Sequence, residues 1–154
     1  MSPSGIDDWR PLVDCIVAVE TDPSAEELRT VNQGLDYYND AYAPPFDFRK
    51  VSVLLRDGKG QVVGGLLGNT EWGWLHVGAL WIRDDVRRQG YGSALLQAAE
   101  QEALNRGCHH VFLDTTSFQA LPFYLKHRYT VWGELDDFPK GHKRYFVQKA
   151  LSGR

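Results

Sequence analysis

Leu80-Trp81-Ile82-Arg83-Asp84-Asp85-Val86-Arg87-Arg88-Gln89-Gly90-Tyr91-Gly92-Ser93 is the stretch from which the fold of this chain can be read. Apolar residues from Trp74 to Ile82 predict a strand buried on both faces. That strand runs into a basic turn with two glycines. Leu95, Ala98, Ala99, Glu102 and Ala103 then follow at helical spacing, until Gly107 closes the helix. Backbone N–H groups at a helix start lack intrahelical partners and carry partial positive charge, so such a turn can hold an anion. Gly90 and Gly92 let a phosphate approach the main chain, and Arg87 and Arg88 add charge. A Walker-type phosphate loop is absent, and the third glycine of a dinucleotide-binding fingerprint is missing.

Working outward, Leu12 to Val19 is rich in β-branched residues and reads as a first strand. Ser24 is an N-cap with Glu27 three residues on, and Leu28, Val31, Leu35 and Tyr38 continue a helix that Gly34 could interrupt and that ends before Pro44-Pro45. Val51 to Leu55, the turn Asp57-Gly58-Lys59-Gly60, and Gln61 to Leu67 form a hairpin. Beyond the central helix come a short strand at Val111-Phe112-Leu113, a helix over Ala120 to His127, and strands over Tyr129 to Leu135 and Arg144 to Lys149. The class is mixed α+β around a central sheet. Trp72 and Trp74 are two apart and so share one strand face. They suit a core, a dimer contact or an apolar amine.

The 154 residues fit one domain over 1–154. With 43% hydrophobic residues the chain can bury a core and is not disordered. The net charge of −3 is unevenly spread. Met1 to Phe48 holds ten carboxylates against Arg10 and Arg29, a balance of −8, whereas Arg49 to Arg154 holds fifteen Lys or Arg against ten acids, a balance of +5. Cys15 and Cys108 lie far apart without a CxxC pattern and read as reduced, in a cytoplasmic protein. No apolar run reaches membrane-span length and the N-terminus lacks a signal core, so a soluble protein is expected. The acidic balance and the lack of basic runs interleaved with aromatics argue against nucleic acid. His109-His110 has no further ligands at zinc spacing, so no metal site is expected.

Arg87-Arg88-Gln89-Gly90-Tyr91-Gly92 resembles the (Gln/Arg)-x-x-Gly-x-(Gly/Ala) signature of the GCN5-related N-acetyltransferase (GNAT) superfamily. Leu80-Trp81-Ile82 stands where that family has its Leu-Tyr-Val strand end. The segments Leu113 to Ala120 and Phe123-Tyr124-Leu125-Lys126-His127-Arg128-Tyr129 are similar to its second block. Three motifs in order, over roughly residues 51–149, carry the resemblance, and Gly133-Glu134-Leu135 with Phe138-Pro139-Lys140-Gly141-His142 is similar to a bacterial subgroup.

The resemblance implies the GNAT fold, a mostly antiparallel sheet of about six to seven strands with about four helices. It also implies acetyl-CoA bound in a V-shaped gap between the family's splayed fourth and fifth strands. The pantetheine arm would pair with Leu80, Trp81 and Ile82, and the pyrophosphate would sit on Arg87, Arg88, Gln89, Gly90, Tyr91, Gly92 and Ser93. Tyr124 falls where the family places the tyrosine that protonates the departing thiolate, and Lys126 lies nearby. Ser117 stands where the family often has Asn, and a hydroxyl can substitute. Asp84 replaces a usual Pro, and Arg88 and Arg128 replace family glycines. Glu71 and His76 are the candidate general bases, and Asp114 is a further carboxylate that also suits a structural role. The acceptor expected is an amine of a small molecule. A protein lysine or N-terminus, and a CoA-binding module without turnover, are the alternatives. A homodimer is expected by analogy with the family.

Overall fold

The computed structural model describes residues 13–152, which form two compact units divided after Tyr42. In the first unit, α1 (Ala25–Tyr42) starts on a reciprocal capping box. The Glu27 N–H donates to Ser24 Oγ at 3.2 Å, and the Ser24 N–H donates to Glu27 Oε2 at 2.7 Å. Those bonds hold the Glu27 carboxyl below the ordinary carboxylate range. The helix runs through Gly34 without interruption and stops ahead of Pro44-Pro45. The first strand expected from Leu12 to Val19 does not form. Leu12 lies outside the described residues, and residues 14–20 take no regular structure. β-Branched residues favour a strand only where a neighbour completes their backbone hydrogen bonds, and among the described residues none pairs with this segment.

The second unit contains β1 (Arg49–Arg56), β2 (Val62–Glu71), β3 (Trp74–Ile82), a short 3-10 turn (Asp84–Val86), α2 (Tyr91–Asn105), β4 (His110–Thr116), α3 (Leu121–Lys126), β5 (Thr130–Asp136) and β6 (Lys143–Ala150). Most predicted elements recur with ends moved by a few residues. The six strands lie in the order β1-β2-β3-β4-β6-β5. Every neighbouring pair is antiparallel except β3 and β4, which are parallel because α2 carries the chain back between them. No helix among the described residues is long and apolar enough to cross a membrane.

Alternation along the strands sends Leu75, Val77, Val111, Leu113 and Val147 to one face of the sheet. There they meet Leu95, Leu96, Ala99 and Ala103 of α2 in the core. The alanines are fully buried, and their small side chains let the helix lie close to the sheet. Cys108, a free thiol, is buried in the same cluster. Arg106, just past α2, donates to the carbonyls of Arg49 and Lys50 and to the buried hydroxyl of Thr70, tying the helix end to β1 and β2. Trp72 is not on a strand face. Trp72 and Gly73 are the two turn residues between β2 and β3, at φ +43° and +80°. The right-handed twist of the flanking strands requires positive φ at both positions of a two-residue turn of this kind.

Candidate active site

β3 and β4 pair from Trp74 opposite His110 as far as Val77 opposite Leu113, and no farther. β3 continues to Ile82 and β4 to Thr116, so the two strands leave a gap between their ends. The cause lies on the other edge of β3. Leu67 of β2 faces Ala79 and Gly68 faces Val77, which leaves Gly78 as the extra residue of a β-bulge. A bulge bends its strand and increases the local twist, here at the residue after pairing with β4 ends. Gly68 makes the arrangement feasible, since a Cβ there would lie 2.2 Å from the His76 carbonyl oxygen.

The Arg83 N–H donates to the Val63 carbonyl at 2.8 Å, back toward β2. Successive residues of a strand turn their backbone polar groups to opposite edges. Ile82 and Leu80 therefore present theirs to the gap, and Trp81 does not. Arg87 Nε donates to the Ile82 carbonyl at 2.8 Å while its Nη1 pairs with Asp84 at 2.9 Å. The gap-side groups left for a ligand are thus the Ile82 N–H and both groups of Leu80. Arg83 forks onto Asp85, at 2.5 and 2.8 Å. Arg87 and Arg83 therefore hold the turn in shape, and Arg88 forms no ion pair among the described residues.

Gly90 caps α2 at φ +82° without any side-chain cap bond, and the first intrahelical bond runs from the Ala94 N–H to the Gly90 carbonyl. The N–H groups of Tyr91, Gly92 and Ser93 consequently have no partner within the helix. Arg88 and Arg128 both stand in the left-handed region, at φ +61° and +69°, where the resembling family has glycine. Helix start, strand end and α3 converge at one point. A Cβ on Gly92 would lie 3.4 Å from Phe123 Cε2 and 3.5 Å from Ile82 Cδ1. Tyr124 follows Phe123 and is buried, with 6% of its surface exposed, and its hydroxyl has no hydrogen-bond partner among the described residues. Burial pushes its phenol up to about 12.

Other expected residues are placed differently. Ser117 Oγ lies 3.1 Å from His142 Nδ1 and accepts the Lys143 N–H at 3.2 Å, so it fastens the end of β4 to the loop between β5 and β6. Arg144 Nε donates to Asp114 Oδ2 at 2.7 Å, and the Arg144 guanidinium lies 4.4 Å over the Phe138 ring. Asp114 is thus held as one half of an ion pair. His76 stacks on Phe112 at 4.7 Å, one residue before β3 and β4 part. Glu71 ends β2 opposite Trp74, and at the rise of a strand it lies about 10 Å back along β3 from the gap. Lys126 occupies the last turn of α3 and is exposed.

Sequence reading missed three features. His127 Nε2 meets Ser93 Oγ at 2.8 Å, a contact across 34 residues that no local pattern announces. Thr116 Oγ1, on the last residue of β4, is buried without a hydrogen-bond partner among the described residues. The bulge at Gly78 did have a signal, because Gly68 and Gly78 interrupt two strand patterns, as glycines do at bulges and close backbone approaches.

Residues 17–129 match the acetyltransferase (GNAT) family. The chain belongs to that family. An acetyltransferase of Agrobacterium fabrum is 34% identical over 81% of this chain and 91% of its own length. The blasticidin-S acetyltransferase of Streptomyces morookaense is 36% identical over 60% of this chain and 69% of its own. The crystal structure of an acetyltransferase from Bacillus cereus superposes with a TM-score of 0.80 at 33% identity, covering 87% of this chain and 98% of that one. This GNAT protein is therefore an N-acetyltransferase with acetyl-CoA as its cosubstrate. Among the described residues, the groups that could receive that cosubstrate are the gap-side backbone of Leu80, the N–H groups of Tyr91, Gly92 and Ser93 that have no partner within the helix, and the Thr116 hydroxyl at the end of β4.

Proposed function

We propose that this enzyme transfers the acetyl group directly to a primary amine of a small molecule, in the gap between β3 and β4. The observation that carries the reading is the end of β3–β4 pairing at Val77 and Leu113, with Gly92 at the start of α2 and Ile82 at the strand end both close to Phe123, the residue before Tyr124. The small-molecule acceptor rests on the relative that is named for acetylating blasticidin S.

In the proposed reaction a C–N bond forms and the thioester C–S bond breaks. An ammonium is not a nucleophile, so one proton must leave it first, and a second leaves as the amide forms. His76, on β3 one residue before the strands part, is the group offered as the acceptor of that proton. Leu80 and Ile82 offer backbone groups that orient the pantetheine arm, and the N–H groups of Tyr91, Gly92 and Ser93 receive the pyrophosphate with Arg88 beside them. Burial keeps the Tyr124 phenol protonated at neutral pH, so it can donate a hydrogen bond, and then its proton, to the departing thiolate.

Thiol release from acetyl-CoA, measured against polyamines, amino acids, aminoglycosides and peptides, tests the reading. Turnover on at least one small amine is expected. Tyr124→Phe should lower kcat on the order of 100-fold and leave the KM for acetyl-CoA unchanged. Unchanged turnover in that variant would remove the assigned role.

A further inference from the structure

Away from the gap, on the sheet face opposite α2, the molecule carries a second concave feature. A cavity of about 340 Å³ is lined by Glu71, Trp72, Trp74, Phe112, Trp132 and Gln148. Its walls are three indoles and a phenyl ring, and its single charged group is a carboxylate. The rings are fixed by one another. Trp74 meets Phe112 edge-on at 5.9 Å and stacks on His110 at 4.5 Å, and Trp132 leans on Phe146 at 5.4 Å. Aromatic faces are electron-rich, and several of them around one carboxylate attract a positively charged nitrogen and repel an anion.

Trp72 supplies an independent sign that the site is built. It occupies a left-handed turn position at φ +43°, which asparagine or glycine would take with little strain and a bulky residue takes at a cost. The chain holds it there with a bond from its N–H to Asp47 Oδ1 at 2.7 Å and one from its indole Nε1–H to the Pro44 carbonyl at 3.0 Å. Phe46 meets its ring at 5.2 Å. Backbone strain that the surroundings maintain in this way is concentrated at ligand clamps, and the ring so placed is one wall of the cavity.

One ring of the cavity wall lies next to a residue near the gap. Phe112 lines the cavity and stacks on His76, which stands one residue before β3 and β4 separate. From Trp74 to Val77 is three residues, about 10 Å along the strand. We propose that this cavity binds a second, non-reacting cationic nitrogen of the acceptor, about 10 Å from the amine that is acetylated. The inference rests on the small-amine reading above and adds the substrate class, an elongated amine with at least two basic nitrogens. The acceptor lies along the face that carries His76 and Phe112, with its cation boxed by Trp72, Trp74 and Trp132 beside Glu71.

Two measurements separate this proposal from the reading beneath it. Choline has no N–H to acetylate, so its binding reports the cavity alone. In titrations followed by the indole N–H resonances, choline should move those of Trp72, Trp74 and Trp132, leave Trp81 in place, and bind at least about tenfold more tightly than its uncharged isostere dimethylbutanol. Trp132→Ala and Glu71→Gln should each weaken choline about tenfold, with circular dichroism confirming the fold. Unmoved indoles, or equal binding of the two isosteres, would overturn the proposal whether or not the enzyme turns over. In the kinetic arm, spermidine should have a KM at least about tenfold below that of octylamine in the parent enzyme, a difference that Trp132→Ala abolishes. Equal KM values for the two in the parent enzyme would refute a role in acceptor binding, whereas failure of every small amine in the panel above alongside tight choline binding would strike the small-amine reading and spare the cationic site.

Discussion

Two side chains, the buried Tyr129 and the half-buried His127, show how much of this molecule depends on single contacts. The Tyr129 hydroxyl donates to Glu100 Oε1 at 2.7 Å, and Lys149 Nζ sits 3.0 Å from both oxygens of the same carboxylate. The bonds join α2 to β6 through the core, and burial together with Glu100 raises the Tyr129 phenol far above its ordinary value. Tyr129→Phe leaves a half-buried carboxylate short of one donor, which should cost about 1–3 kcal/mol and lower Tm by about 2–4 °C for each of those. A thermal melt checks it. His127 is the second case. Burial holds its pKa below the ordinary value, against the opposing pull of Glu100. Between the folded and unfolded values the unfolded chain binds more protons, so stability rises with pH across that window and is lost as pH falls below about 6.5. His127→Gln should remove that part of the rise below about pH 6.5, as denaturant melts at several pH values would show. An unchanged slope would exclude His127 as its source. Neither contact is visible in sequence, because Glu100, His127 and Lys149 each read locally as ordinary helix or strand residues.

The β2–β3 pair decides where β3 and β4 part. Its bulge turns β3 away from β4, and Gly68 alone leaves room for the His76 carbonyl. Gly68→Ala must push the strands apart at that point. We expect a loss of more than about 3 kcal/mol in urea unfolding, because overpacking and broken ladder bonds add. A variant as stable as the parent would show that the bulge tolerates a side chain. The elements themselves were largely legible. Trp74–Ile82 forms over the predicted residues, and the Ser24-Glu27 capping box starts α1 as its spacing requires. The exceptions share a cause. The apolar run from Leu12 to Val19 has strand composition but no ladder partner among the described residues, and Trp72 has strand composition but lies in a two-residue turn. Composition reports what a backbone would accept, and pairing decides what it does.

The whole chain is divided electrically, with −8 over Met1 to Phe48 and +5 over the remainder. A cationic acceptor and a polyanionic cosubstrate respond to such a field with opposite signs. Glu27 is engaged in the cap of α1, so the test uses Glu26→Gln, Asp36→Asn and Asp40→Asn together. At low ionic strength this variant should show a raised KM for a cationic amine and an unchanged KM for acetyl-CoA, and the difference should fade as salt screens it. Equal changes in both would reduce the asymmetry to a pair of solvated faces.

By itself the sequence determined the class of fold, the order of most elements, the glycine-bearing turn before α2 and the short helix that carries Tyr124, because those depend on spacing and on residue types with strong local preferences. The tertiary structure decided how far β3 and β4 pair, that Arg83 and Arg87 shape the turn, that Ser117 fastens a loop, and that Glu71 belongs to an aromatic cavity. Each of these is a relation between residues distant in the chain. It is fixed by which backbone groups find partners and how closely side chains can pack, and a linear pattern carries neither.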